Sequence, residues 1–316
     1  MNSSFDAVTI GNSTIDIFFP ITDSNDHFRF NKDNKEICIH LGDKTVVDHV
    51  KLTLGGNAAN VGVGLSKLGF KTAVFSEIGK DEFATKILND LEKENIDCSY
   101  IKQTESTISV ISIILTYKKE RTIISEDAQR EHDFDFSNLN TKWVYLTALG
   151  KKWEEAYEKT LEFTKNSKAK LAFNPGTRQL DAGYEKIKTI LEETEILIVN
   201  KEEAKKILSR EEEEIRNLLK DLKTLGPKVV VITDGLNGSF ALDYDNKYFE
   251  NRNVENDSVE RTGAGDAYSS GFLSAYMLDL GVLKAMQWGT LNASATVKNI
   301  GGAVGLLTRE EIEKLN

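Results

Sequence analysis

The chain has 316 residues, is 40% hydrophobic, and carries 50 acidic against 40 basic residues, a formal charge of -10. That length and apolar content suit one large α/β domain, with or without an appendage. The acidic balance, with no basic block and no interleaving of basic and aromatic residues, argues against a nucleic-acid partner. Cys38 and Cys98 lie far apart, match no metal spacing, and fit a reduced, cytoplasmic setting. The longest apolar run, Val110 to Leu115 with Ser112 inside it, is too short to cross a bilayer. The first residues, Met1 to Asp6, lack the basic-then-apolar order of a signal peptide, so no membrane partner is expected.

In chain order, residues 7–11 read as a buried strand. The spacing of Val61, Leu65 and Leu68 predicts a helix, residues 72–77 a strand, and 82–93 a second helix. Further strands are expected near 143–147, 169–174, 195–199 and 228–233, with helical segments between them. This alternation argues for an α/β fold: a mostly parallel sheet flanked by helices, without repeats or low-complexity tracts. Two intervals, 13–54 and 98–126, break the rhythm. They hold short strand candidates (36–40 and 109–115) and no convincing helix. They pair either as an ordinary sheet extension or as a small antiparallel sheet forming a lid over a ligand cleft.

The densest chemical signal is Arg261-Thr262-Gly263-Ala264-Gly265-Asp266-Ala267, at the start of an apolar helix. Small residues let the main chain approach a phosphate, and the first amides of a helix point outward as anion donors. Asp266 is a poor anion binder there but is suited to taking a proton from an attacking hydroxyl. The pattern suggests phosphoryl transfer to an alcohol. Downstream, Tyr268, Phe272, Ala275 and Tyr276 have core spacing and read as packing.

Four other places carry readings of two kinds. Gly55-Gly56-Asn57-Ala58-Ala59-Asn60 precedes the first helix; Asn57 and Asn60 face a polyol, or Asn57 simply caps the helix. Asp16, beyond the first strand, accepts two vicinal hydroxyls or is a solvated turn residue. Asn200 and Glu203 hold the waters of Mg²⁺ or cap a helix. Thr233, Gly235 and Gly238 belong to a turn between strands or to a loop that admits nucleotide phosphates. The four histidines, His27, His40, His49 and His132, lie away from these motifs in sequence.

Gly55–Asn60 with Gly62, Leu65, Leu68 and Gly69 resembles the first signature of the ribokinase-like (phosphofructokinase B) kinases. Thr262–Tyr268 with Gly271 and Phe272 resembles the second. Asn200 and Glu203 resemble the family's Asn-x-x-Glu element, and Thr233, Gly235 and Gly238 its nucleotide loop. The elements stand in family order, so the resemblance covers nearly the whole chain. It implies a doubly wound, ribokinase-like single domain with a β-lid often used for dimerisation, Mg-ATP as donor, and a sugar or nucleoside as acceptor.

Residue by residue, the resemblance makes Asp266 the base and the amides of Ala264, Gly265 and Asp266 the anion hole that Gly263 opens. Asp16, Gly56, Asn57 and Asn60 hold the acceptor. Asn200 and Glu203 organise Mg²⁺ through water. Thr233, Gly235 and Gly238 flank ATP, with Asn292 a further candidate near adenine. The family often has Asp-Thr-Thr before the glycine turn, the Asp serving a monovalent cation such as K⁺; Glu260-Arg261-Thr262 stands here, with a longer acid. Arg261, Arg178 and, in the lid, Arg121 are positive forks that suit an acidic or phosphorylated acceptor, or in the case of Arg261 the transition state. A solvent-facing Arg261 is the plain alternative. Two rivals remain at this point: a nucleoside kinase, with Phe18, Phe19, Phe28 or Phe30 packing on a base, and a non-catalytic sugar- or nucleotide-binding regulator on the same scaffold.

Overall fold

The computed structural model describes residues 4–22, 27–31, 36–47, 49–118, 120–126, 128–211, 214–252 and 261–315. The chain begins with β1 (Ser4–Ile10), β2 (Thr14–Ile21), β3 (Phe28–Asn31), β4 (Glu36–Ile39) and β5 (Lys51–Gly55), then enters α1 (Asn57–Lys67). Next come β6 (Thr72–Ile78), α2 (Glu82–Lys93), β7 (Ile101–Gln103), β8 (Ile111–Tyr117), β9 (Glu120–Ser125) and β10 (Asn140–Leu146). Alternation resumes with α3 (Trp153–Ser167), β11 (Lys170–Phe173), α4 (Thr177–Asp181), α5 (Tyr184–Glu192), β12 (Ile196–Asn200), α6 (Lys201–Leu208), α7 (Ile215–Thr224) and β13 (Val229–Thr233). A hairpin, β14 (Ser239–Leu242) and β15 (Tyr248–Asn251), precedes α8 (Ala264–Met277), α9 (Val282–Thr296) and α10 (Arg309–Lys314).

Among the described residues the main sheet has nine strands in the order β15-β14-β13-β12-β11-β10-β1-β6-β7. The seven strands from β13 to β7 run parallel, and β14 and β15 add an antiparallel edge. Parallel strands need apolar residues on both faces, because helices cover both. The alternation is visible residue by residue: Val8, Ile10, Val144, Leu146, Leu197 and Val199 pack into one layer. Their neighbours Ala7, Trp143, Tyr145, Ile196 and Ile198 pack into the other, beneath Tyr268 and Phe272 of α8. Those two aromatics are therefore core, as their spacing predicts.

After β1 the chain builds β6 and β7 on one side, then returns to place β10 on the other. The connections leaving the carboxyl ends of β1 and β10 diverge there, opening the crevice in which ligands of such sheets bind.

A second sheet of four strands, in the order β5-β2-β8-β9, is built from the two intervals that break the alternation. It is mixed rather than antiparallel. β5 and β9 pair antiparallel, but β2 and β8 are parallel, with Asp16 opposite Ser112. The reason lies in the main sheet: β2 follows β1 and β8 follows β7, and those parallel strands release the chain in the same direction. The interval 98–126 also splits, since its first strand, β7, joins the main sheet with Ile101 opposite Ser76. The hairpin β3–β4 stands apart as a two-stranded sheet. Among the described residues no helix is long and apolar enough to cross a membrane.

Candidate active site

The carboxyl ends of β1 and β10 and the inner face of the four-stranded sheet enclose a cleft of about 960 Å³. Asp16, Gly56, Asn57, Asn60, Arg178 and Asp266 all line it, although they come from distant parts of the chain. Three glycines make this convergence possible. Gly56 opens α1 at φ +91°, and a Cβ there would lie 2.4 Å from the Asn12 carbonyl oxygen. Gly263 opens α8 at φ +78°, where a Cβ would lie 2.4 Å from Gly302 Cα. Both conformations are left-handed and favour glycine. Gly64 completes the set: a Cβ on it would lie 2.2 Å from Ser270 Oγ, so α1 and α8 pack backbone against side chain and bring their first turns together.

The result is a direct link between the two glycine motifs. Asn57 Nδ2 donates to one oxygen of Asp266 at 2.9 Å, and Asn60 Nδ2 donates to the other at 2.9 Å. The asparagines thus hold the acid first; any contact with a ligand is made from that position. Asp266 is only 6% exposed. Burial pushes its pKa up to about 6, while the amide donors of Asn60 and Asn57 pull the other way.

Asp16 lies on the inner face of β2, 5% exposed rather than in a solvated turn. Thr14 Oγ1 donates to its Oδ1 at 3.1 Å. Its carboxyl group fills the space where residue 55 would carry a side chain: a Cβ on Gly55 would lie 2.3 Å from Asp16 Cγ. The first glycine of the motif is therefore a consequence of the acid on the neighbouring strand.

No side chain caps α8. Ala264 N–H turns back to the Arg261 carbonyl at 3.3 Å, and Ala267 N–H to Gly263 at 2.8 Å. The amides of Gly265 and Asp266 have no such partner among the described residues, so the anion-binding part of the turn narrows to these two. A Cβ on Gly265 would meet nothing within 4 Å, which leaves open space over the turn. Arg261 is half-buried and does not line the cleft.

Asn200 and Glu203 form a reciprocal capping box at the start of α6. Glu203 N–H donates to Asn200 Oδ1 at 2.9 Å, and Asn200 N–H to Glu203 Oε2 at 2.8 Å. Glu203 also lines the cleft. Burial, and beyond that the charge of Asp266, raises its pKa above the usual carboxylate range, against the lowering effect of the Asn200 amide. Thr233 is the register partner of Asn200 on the next strand, and Gly235 and Gly238 follow in a tight turn into β14. Gly235 has open space where a Cβ would stand. This ridge lies beyond the enclosed cleft, at the carboxyl ends of β12 and β13.

Asn292 requires a correction. It is fully buried, donates to Ala267 O and Ser270 Oγ at 3.0 Å each, and accepts from Leu307 N–H at 2.9 Å. Those bonds tie α9 to α8 and leave it no face toward a nucleotide. Glu260, the cation candidate, lies outside the described residues. The proposed base-packing aromatics are also absent from the cleft wall: Phe18 and Phe28 are buried, Phe19 is half-buried on β2, and Phe30 stacks on Tyr117 at 3.7 Å.

Two wall residues escape the sequence reading. Arg130 and His132 line the cleft and are 4% and 1% exposed. They belong to the stretch between β9 and β10 that runs beside residues 150–151, tied there by a bridge between Gln129 and Lys151. Nothing local in sequence marks that contact. A basic and an imidazole side chain two residues apart were the only available clue.

Residues 25–309 match the model of the pfkB family of carbohydrate kinases, and the chain belongs to that family. It is a carbohydrate kinase. Among curated relatives, it is 28% identical over 286 residues to a 5-dehydro-2-deoxygluconokinase of Clostridium botulinum, covering 84% of each chain. It is 23% identical over 295 residues to an ATP-dependent 6-phosphofructokinase of Thermoanaerobacterium thermosaccharolyticum, covering 88% of this chain and 89% of that one. Its fold matches a nucleoside kinase of Methanocaldococcus jannaschii, a ribokinase-family member, with a TM-score of 0.81 at 23% identity over 98% and 97% of the two chains. An Arabidopsis thaliana ribokinase complexed with ribose and ATP matches with a TM-score of 0.79 at 18% identity over 99% of each.

Proposed function

We propose that ATP gives its γ-phosphoryl group to a sugar hydroxyl in this cleft, with Asp266 as general base. The observation that carries the reading is the Asp266 carboxylate, buried at the open start of α8 and held by two amide donors. With a pKa of about 6 it is mostly ionised at neutral pH, yet basic enough to take a proton as the hydroxyl attacks. The amides of Gly265 and Asp266 and the positive end of α8 then face the charge on the migrating phosphoryl group. Asp16 holds acceptor hydroxyls from the opposite sheet, which fixes the attacking oxygen in line.

Asn200, Thr233, Gly235 and Gly238 form the nucleotide side. Glu203 keeps one carboxylate oxygen outside its capping box, and its raised pKa reflects burial and the proximity of Asp266. A divalent cation relieves that repulsion, so the residues fit Mg²⁺ held largely through water, with Glu203 and Asn200 as its protein partners. When bound, Mg²⁺ neutralises phosphate charge.

A sugar is favoured over a nucleoside because none of the candidate aromatics lines the cleft, while the cleft wall is rich in hydroxyl-binding groups. The four-stranded sheet acts as a lid that excludes water from the transfer. We propose further that this lid pairs with that of a second copy. Leu52, Ile113 and Ile124 stand in one cross-strand row on its outer face, flanking Ile17, and all three are exposed. Such a row, beside β9, which is an edge strand among the described residues, suits burial against its own symmetry mate.

The test is an acceptor screen with purified protein, ATP and Mg²⁺, reading phosphorylated sugar. The expected result is ATP-dependent product with at least one sugar and its loss in Asp266→Asn. Product formation at an undiminished rate in Asp266→Asn removes the base from the mechanism.

A further inference from the structure

Arg130 is the least finished group in the cleft wall. Its Nη2 donates to the Ile108 carbonyl at 2.5 Å. Its Nε and Nη1 are buried and have no hydrogen-bond partner among the described residues. Burial lowers its pKa, and the charges of Glu77, Glu126 and Asp81 oppose that shift through space, yet none of them accepts its hydrogen bonds. A guanidinium offers a rigid fork of donors matched to two oxygens of one anion. Leaving such a fork buried and idle is costly, because its lost hydration is not replaced. An anion in the cleft would satisfy both idle donors.

Two further cations frame the same space. Arg121 lies on β9 opposite Thr116, on the face that also sends Ile123 and Ser125 into the cleft. Arg178 enters from α4, on the main-sheet side. Both are exposed, and ordering such long side chains on a ligand carries an entropic cost. Beside Arg130, His132 presents both ring nitrogens without a partner. Its backbone N–H is fixed to Glu77 Oε2 at 2.7 Å. Burial, with the Arg130 charge adding to it, pushes its pKa down to about 4, so at neutral pH it offers one donor and one acceptor and no charge. That equips it for a hydroxyl.

We propose that the phosphoryl acceptor is an anionic sugar, bearing a carboxylate or a phosphate monoester, gripped by Arg130 with Arg121 and Arg178 while His132 takes a neighbouring hydroxyl. This rests on the kinase reading above and adds the chemistry of the acceptor. The cleft is then polarised. Asp16 and Asp266 repel an anion and receive hydroxyls; the arginine wall receives the charge.

The experiment compares matched pairs by equilibrium binding without nucleotide: fructose against fructose 6-phosphate, and glucose against gluconate. ATP-dependent phosphorylation of the same four compounds is measured in parallel. The expected result is that an anionic member binds at least about tenfold more tightly than its neutral counterpart, with the preference weakening as salt rises. The pair that shows it tells phosphate from carboxylate. Arg130→Met abolishes the preference, and an Arg121→Ala/Arg178→Ala double variant, altered only at exposed positions, reduces it through KM with kcat little changed. If Arg130→Met does not fold, the double variant decides. Equal or tighter binding of both neutral members, or an undiminished preference in the double variant, overturns the proposal. Neutral sugars that are phosphorylated well while anionic ones are not leave the kinase reading standing and remove this one. Anion preference without any phosphorylation does the reverse.

Discussion

The floor of the cleft and its wall solve opposite problems. On the floor, both oxygens of Asp266 are taken by Asn57 and Asn60, and the helices that carry them are locked by glycine contacts at Gly56, Gly64 and Gly263. In the wall, Arg130 and His132 are as deeply buried but keep idle hydrogen-bonding atoms. Buried polar groups are normally satisfied, so the contrast has a physical meaning. The carboxylate of the floor is held without a ligand, although Asn60 Oδ1 beside it has no partner among the described residues, and it suits a step common to many acceptors. The wall completes itself only on one kind of ligand, and selectivity resides there.

Three substitutions sharpen that contrast, beginning with the floor. Asp266→Asn is expected to lower kcat by roughly 10²–10⁴-fold, the usual worth of a general base. The variant stays folded. Because burial raises the pKa of this acid, the native state gains from its protonated form at low pH and loses that gain as pH rises through about 6. Removing the charge therefore makes the variant no less stable than the parent at pH 8, as thermal unfolding checks. A variant that melts far below the parent there contradicts the burial argument.

Gly55→Ala drives a methyl group into the Asp16 carboxyl. A loss of about 1–3 kcal/mol in stability is expected from such overpacking, with a higher acceptor KM and a smaller change in kcat. Denaturant unfolding and steady-state kinetics read the two effects. An unchanged KM separates Asp16 from acceptor binding.

The smallest expected effect on catalysis comes from Ile124→Lys on the outer face of the lid. It is expected to shift the protein toward monomer in sedimentation while leaving turnover within about twofold, since surface changes remote from the site perturb little. Unaltered sedimentation argues against the lid as the dimer surface.

Much of the floor was legible in the sequence because glycine, asparagine and aspartate at fixed spacing report backbone geometry directly. The helix at 82–93 was equally clear: Asp81 caps it, accepting from Ala84 N–H at 2.7 Å, and Ala84, Ile87 and Leu91 face inward. What the motifs did not reveal was their mutual bond, formed across 209 residues of chain between Asn57 and Asp266. The wall was illegible for the same reason carried further. Arg130 and His132 acquire their setting only because residues 128–132 run beside Gly150 and Lys151, a contact without local pattern. Asn292 misled in the opposite sense. A polar residue on a late helix reads as ligand-facing, but α9 packs so closely on α8 that a Cβ on Gly271 would lie 2.6 Å from Trp288 O, and Asn292 is sealed inside. β7 is too short for its sheet to be read from alternation.

The central claim is that Asp266 accepts the proton while Asn57 and Asn60 hold it ionised, and the pH dependence of kcat/KM tests this most directly. The wild-type protein is expected to lose activity through an acidic limb near pH 6. In Asn60→Ala that limb should move upward by roughly one unit or more, since a hydrogen bond to a charged group contributes about 1.5–3 kcal/mol. A profile flat to pH 5, or a limb that stays in place when the amide donor is removed, contradicts the account.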